Sequence, residues 1–242
     1  MKLSVVIPVY NEERTLPGIM KEIAAACPEA QIIYIDDGST DRSLAILRNE
    51  KRPQDLVVTK PNGGKGSAIR EGLKHAEGQF TVIQDADLEY DPREIGALVK
   101  EAEKNPGSGV LGSRFLKPNP NIYRRYLLGN KFLTALINVL FGAHLTDSYT
   151  CYKLLPTELF RSLQITASGF ELEAEICARC LRSGISLHEI PISYRPRSIE
   201  EGKKITWKDG LQAIWTILRL RFLDRKKYGR TQNLRTKPGD WV

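Results

Sequence analysis

Strand-like and helical stretches alternate through the first half of the chain, and this rhythm constrains the fold more than any other feature. The β-branched run LSVVIPVY (3–10) predicts a buried strand. QIIYID (31–36), DLVVT (55–59), QFTVIQD (79–85) and SGVLGSR (108–114) predict four more, and helical patterns separate them. Asn11 is placed to cap the first helix, with Glu12 and Glu13 in its opening turn. NGGKGSAIREGLKHA (62–76) reads as a glycine-rich turn feeding a helix, and DPREIGALVKEAEK (91–104) as a helix opened by Asp91-Pro92. Strands and helices at this spacing predict an α/β fold with a mainly parallel sheet and helices on both faces. Ligands of such sheets bind beyond the carboxyl ends of the strands.

The polar clusters stand at those ends. PVYNEE follows the first strand, DDGSTD the second and DADLE the fourth. Hard divalent cations take oxygen ligands, and Mg²⁺ completes its shell with substrate phosphates and water. Asp85, Asp87 and Glu89, at alternating positions, therefore suggest a metal that holds a diphosphate. A solvated acidic turn is the plain alternative. Glu12 has the alternative of capping a helix, and Asp36 and Asp37 that of making an Asp-Gly turn. Lys65 lies in GGKGS, which lacks phosphate-loop spacing, so it is read as structuring its loop.

The second half is less regular. Residues 121–145 read as an apolar helix, TDSYTCYKLLP (146–156) as ending in a strand, and GFELEAEICARCLRSG (169–184) as a helix ended by Gly184. At least one of Glu171, Glu173 and Glu175 is expected in solvent. SLHEIPISYRP (186–196) reads as two short strands joined at Pro191. Cys177 and Cys180 have metal-ligand spacing, but without a second pair two buried thiols are the reading, and a reduced cytosolic protein fits. No leader peptide and no spanning run are visible among the 242 residues. The formal net charge is +7, and residues 195–242 hold 13 Lys/Arg against 5 Asp/Glu. This basic end points to an anionic partner. Nucleic acid is set aside, because no nucleic-acid motif is present despite a pI near 9.2.

The set VVIPVYNEE, IIYIDDGSTD, NGGKGSAIREGLKHAEG, VIQDADLEYDP and VLGSRF resembles family 2 glycosyltransferases. TDSYTCYKLLP, GFELEAEI and EIPISYRPRSIEEGKK extend the resemblance to the dolichyl-phosphate (polyprenyl-phosphate) mannose synthase branch, over about residues 3–205. The resemblance implies a GT-A fold, a nucleotide-sugar donor and Mg²⁺ or Mn²⁺. It implies inverting transfer of a hexose, mannose from GDP-mannose by preference, to a polyprenyl or dolichyl phosphate. UDP-glucose and a hydroxyl (glycan) acceptor stand as alternatives, and an anionic-polymer binding protein behind them.

By resemblance, Pro8, Tyr10, Glu12, Ile35 and Asp37 line the base and ribose, and Asp85 and Ala86 touch the nucleotide. Asp87 binds the metal with Glu89, where relatives often carry Gln, and Asp85 completes the metal set. Arg114 faces the sugar or diphosphate, with a surface ion pair as its plain alternative. Arg197 and Lys204, or Lys203 in another register, approach the phosphates. A phosphate monoester is largely a dianion at pH 7 and needs positioning rather than a base. Arg114, Arg124, Arg125, Arg197, Lys203 and Lys204 are candidates to hold it, and Asp147 is the candidate base for a hydroxyl acceptor. The expected organisation is a catalytic domain over 1–205 and a basic amphipathic segment over 206–242. Trp207, Trp215, Leu218 and Phe222 suit that segment to a membrane interface, with packing on the domain as the alternative. The expected location is the cytoplasmic face of a membrane, held peripherally or by a membrane-protein partner.

Overall fold

A computed structural model describes residues 2–119, 124–197 and 207–224. Among these, one seven-stranded sheet runs in the order β3-β2-β1-β4-β6-β5-β7. The strands are β1 (Leu3–Val9), β2 (Gln31–Asp36), β3 (Leu56–Thr59), β4 (Phe80–Ile83), β5 (Gly109–Ser113), β6 (Lys153–Pro156) and β7 (Leu187–Pro191). The helices are α1 (Leu16–Ala26), α2 (Ser43–Glu50), α3 (Lys65–His75), α4 (Ile95–Lys104), α5 (Arg124–Phe141), α6 (Thr157–Ser162), α7 (Leu172–Arg182) and α8 (Trp207–Phe222).

β1 to β4 are parallel neighbours, and β5 pairs parallel with β7. β6 runs antiparallel between the two groups. The apolar runs of β1, β2 and β4 are almost wholly buried, as a parallel sheet covered on both faces requires. Gly72 lets α3 lie close on the sheet, since a Cβ there would stand 2.3 Å from a methyl of Val6. The main core spans this region, and a second core joins β5 to α5, α7 and α8 through Leu111, Ile137, Ala174 and Ile217.

The structure departs from the sequence expectations at three places. Asn11 does not cap α1. Its φ is +54°, and its Oδ1 accepts the Thr40 N–H at 2.8 Å, so it ties the loop after β1 to the loop after β2. α1 begins instead at Leu16, with a proline in its first turn. The stretch 186–196 holds one strand, and residues 192–197 lie without regular structure against side chains of the site. Glu171, Glu173 and Glu175 are all buried, so none supplies a solvated face. Cys27, Cys151, Cys177 and Cys180 are free, buried thiols.

Candidate functional site

Register places the candidate residues side by side. Pro8 lies opposite Ile35 and Val9 opposite Asp36, and the Asp37 N–H donates to the Val9 carbonyl at 2.8 Å. The loops after β1 and β2 therefore leave the sheet together, carrying Tyr10, Glu12 and Asp37. Tyr10 is exposed, Pro8 half-buried and Ile35 fully buried. Gln84 bonds through its N–H to the Val6 carbonyl, and Asp85 to Glu89 follow directly after β4.

Asp37 is buried and organises the glycine-rich turn. Its carboxylate accepts the Gly63 N–H at 3.0 Å and the Gly64 N–H at 2.7 Å, and pairs with Lys60. The amides that could have cradled a phosphate at the start of α3 are thus spent on Asp37. Lys65, the first residue of α3, places a cation at a helix N-terminus, where the helix dipole opposes it. Two carboxylates hold it there, Asp85 at 2.7 Å and Glu173 at 2.9 Å. Their charges outweigh the burial that opposes ionisation and keep Lys65 well above the usual lysine range. Glu173 in turn accepts Lys153 Nζ at 2.5 Å, and Lys153 is wholly buried. Lys65, Glu173 and Lys153 are thus structural partners of the site. The motifs NGGKGS, TDSYTCYKLLP and GFELEAE contained them, but no local spacing connects residues 65, 153 and 173.

Asp87 is the carboxylate in surplus. Burial pushes its carboxyl up to about 7, repulsion from Asp85 and Glu89 adds to this, and Arg197 opposes it. Arg197 lies between two acids, 2.9 Å from Asp87 and 2.9 Å from Glu12. Asp85, Asp87 and Glu89 do not converge. Among the described residues no group of three or more Asp, Glu, His or Cys side chains is arranged to hold a metal ion. Leu88, at φ +60°, breaks the alternation that an extended chain would give, and Glu89 turns toward Tyr194 and Arg197. Asp87 and Asp85 still offer hard oxygen donors, and Asp87 carries charge that a divalent cation would settle. The donor set therefore fits Mg²⁺ or Mn²⁺ completed by phosphate oxygens and water.

Arg114 is not a surface ion pair. It is buried and meets Asp147 through two hydrogen bonds, Nε at 2.7 Å and Nη2 at 2.8 Å. Its guanidinium also lies 4.9 Å from the Tyr194 ring centroid. Asp147, the candidate base, has both oxygens engaged by Arg114 and no solvent exposure. Glu189 fixes it from behind by accepting the Asp147 N–H at 2.8 Å. Ala86 is buried. Lys203 and Lys204 lie outside the described residues, as do the side chains of Arg124 and Arg125.

Residues 4–163 match the model of glycosyl transferase family 2. Among curated proteins, the chain is 37% identical over 211 residues to an undecaprenyl-phosphate 4-deoxy-4-formamido-L-arabinose transferase of Edwardsiella ictaluri, covering 83% of this chain and 62% of that protein. The same enzyme of Photorhabdus laumondii is 36% identical over 158 residues, 62% of this chain and 47% of its own. The low-salt glycan biosynthesis hexosyltransferase Agl6 of Haloferax volcanii is 26% identical, over 89% of this chain and 53% of its own. The chain spans about half the length of the curated relatives it matches. Among solved structures, glucosyl-3-phosphoglycerate synthase of Mycobacterium tuberculosis with Mn²⁺, UDP and phosphoglyceric acid superposes with a TM-score of 0.70 at 21% identity, over 91% of this chain and 78% of that one. This likeness is one of fold, and the fold is the GT-A arrangement that the resemblance implied.

Proposed function

The chain belongs to glycosyl transferase family 2, and we propose that it moves a glycosyl group from a nucleotide sugar to a polyprenyl phosphate at a membrane surface, with Mg²⁺ or Mn²⁺. The observation that carries this reading is the charge surplus on Asp87 at the strand ends, balanced by an arginine from a distant segment. The bound cation would neutralise charge on the leaving diphosphate. Asp87, with Asp85 beside it, would hold that cation. Arg197 would pass from Glu12 and Asp87 to the diphosphate, which offers a better-matched anion. Arg114, set by Asp147 and stacked on Tyr194, would face the reacting phosphate as a fixed cation. A phosphate dianion acceptor needs no proton removed, which agrees with an Asp147 already engaged by Arg114. Asp147 is then a positioning residue for Arg114, and a base only if the acceptor is a hydroxyl.

The acceptor class is supported by the curated relatives, named for transfer to undecaprenyl phosphate. Two helices supply a surface to meet such a lipid. On α5, Leu128, Phe132 and Val139 are exposed. On α8, Leu211, Trp215 and Phe222 are exposed at the same spacing of four and then seven residues. Each triplet makes one apolar stripe, while Ala213 and Ile217 on α8 pack inward. Arg221 lies along α8, as suits an interface with anionic lipid, while Arg219 turns inward and donates to the Thr166 hydroxyl at 3.3 Å. Among the described residues no helix is long and apolar enough to cross a membrane. Peripheral attachment to the cytoplasmic face, directly or through a membrane protein, is the reading we adopt.

The donor is tested by offering GDP-mannose, UDP-glucose and a nucleotide-linked 4-deoxy-4-formamido-arabinose with polyprenyl phosphate and Mg²⁺ or Mn²⁺. We favour GDP-mannose. Metal-dependent glycosyl lipid, lost with EDTA, is the expected result. Transfer to a glycan hydroxyl but to no lipid would overturn the acceptor and move Asp147 to the role of base.

A further inference from the structure

Glu89 is spaced to be a metal ligand, yet its carboxylate is already committed. Oε2 accepts the Tyr194 hydroxyl at 2.6 Å, and Oε1 accepts the Arg197 N–H at 2.8 Å. Its main-chain carbonyl accepts the Arg195 N–H at 2.9 Å. The segment it holds, 192–197, lies beyond the end of β7. Only the Ile192 N–H, donating to the Ser113 carbonyl, continues the strand pairing. Side chains take over from there. Glu94 accepts the Ser193 N–H at 2.9 and 3.0 Å. Asn119 accepts the Tyr194 N–H at 2.9 Å and donates to the Ile192 carbonyl at 3.1 Å. Glu89 is the last of these anchors along the segment, and it fixes the backbone of the residue whose guanidinium reaches Glu12 and Asp87.

We propose that Glu89 is a positioning residue that latches residues 194–197 and so sets Arg197 across the site, and that it is not a ligand of the metal. This rests on the reading of Asp87 as the cation-binding carboxylate. The choice of side chain follows from the donors present. An ionised carboxylate only accepts, which suits an N–H and an O–H that both point at it. A cation bound to Glu89 would compete with both donors for the same two oxygens and so weaken the hold on the backbone of Arg197. The left-handed turn at Leu88 keeps Glu89 aimed at the segment. That conformation is strained for a residue with a Cβ. The half-buried Leu88 side chain, packed on the main core, offsets it.

The test compares wild type, Glu89→Ala and Glu89→Gln as full chains, by amide hydrogen exchange and by Mn²⁺ affinity from EPR, with and without UDP or GDP. Glu89→Ala is expected to speed exchange at the Arg197 amide tenfold or more while Mn²⁺ affinity stays within threefold. Glu89→Gln keeps an acceptor for that amide, and its NH₂ can donate to the Tyr194 oxygen, so it should restore slow exchange. Tyr194→Phe, which removes one donor only, should speed exchange at least threefold and serves if Glu89→Ala fails to fold. A tenfold loss of Mn²⁺ affinity in Glu89→Ala overturns the proposal, and so does unchanged exchange in the variants. Wild type that binds no Mn²⁺ under any condition would sink the metal reading instead, and the exchange measurements would then decide the latch alone.

Discussion

Two acidic triplets share one spacing and are used in opposite ways. DADLE places Asp85, Asp87 and Glu89 two residues apart after β4, and ELEAE places Glu171, Glu173 and Glu175 two apart at the start of α7. In the α7 triplet every carboxylate has donors from protein. Glu171 accepts the N–H groups of Ser168 and Gly169, Glu173 holds Lys65 and Lys153, and Glu175 takes Thr166, Ala167 and Arg179. Burial opposes ionisation of Glu175, yet hydrogen bonds and the Arg179 charge hold its carboxyl below the usual range. In the strand-end triplet Asp87 is pushed the other way, because burial and two neighbouring acids outweigh one arginine. The α7 triplet is matched and serves as framework. Among the described residues the strand-end triplet has more acid than cation around Asp87, a condition that favours taking up a cation. Lys65 joins them, since Asp85 and Glu173 share it.

The comparison breaks most visibly at Asp87. Asp87→Ala should lower metal-dependent turnover about a thousandfold, since a bound cation contributes several kcal/mol to the transition state, while the fold survives. Full turnover in this variant would remove Asp87 from the metal. Glu173→Ala should do the reverse kind of damage. It leaves Lys153 buried without its carboxylate and deprives Lys65 of one partner, at a cost of about 3–5 kcal/mol in urea unfolding. A loss below about 1 kcal/mol would show that the α7 triplet is not framework.

The charge surplus itself is read from pH. A carboxyl whose folded pKa is raised favours the folded state when protonated, and that contribution is lost as pH rises through about 7. The metal-free Asp87→Asn variant should therefore melt higher than wild type at pH 8, by roughly 2–4 °C per kcal/mol gained. The gap should close as pH falls below 7, and a gap independent of pH would contradict the surplus. Glu171→Gln is the smallest expected effect, below about 1 kcal/mol. It keeps an acceptor for the turn at Ser168 and Gly169, and among the described residues Glu171 forms no ion pair. A larger loss would mean that the charge of Glu171, and not only its acceptor, holds that turn.

What the sequence could show differs between the two triplets for a physical reason. Strand positions, the parallel sheet and the convergence of the loops carrying Glu12, Asp37 and Asp85 were legible, because β-branched runs and strand-end polar residues are local patterns. Asp91 was read as the cap of its helix and does accept the Arg93 N–H, again a contact within two residues. The expectation of a solvated glutamate among 171, 173 and 175 failed. Their partners include Lys65 and Lys153, which stand far off in sequence and meet α7 only through the order of the sheet. Glu89 shares the spacing of its neighbours but not their surroundings, for a subtler reason. Alternation predicts a common face only in an extended chain, and the left-handed turn at Leu88 ends that regularity. Asn11 was lost as a helix cap in the same way, to a partner 29 residues away.

The sequence by itself determined where strands end and which acids stand at those ends, because hydrophobic periodicity and turn chemistry act over a few residues. Only the tertiary structure decided which of those acids are neutralised. Charge compensation inside a protein is set by distance in space and by burial, and Lys65, Arg114, Lys153 and Arg197 reach their carboxylates from a helix, a strand and loops that the chain brings together only when folded.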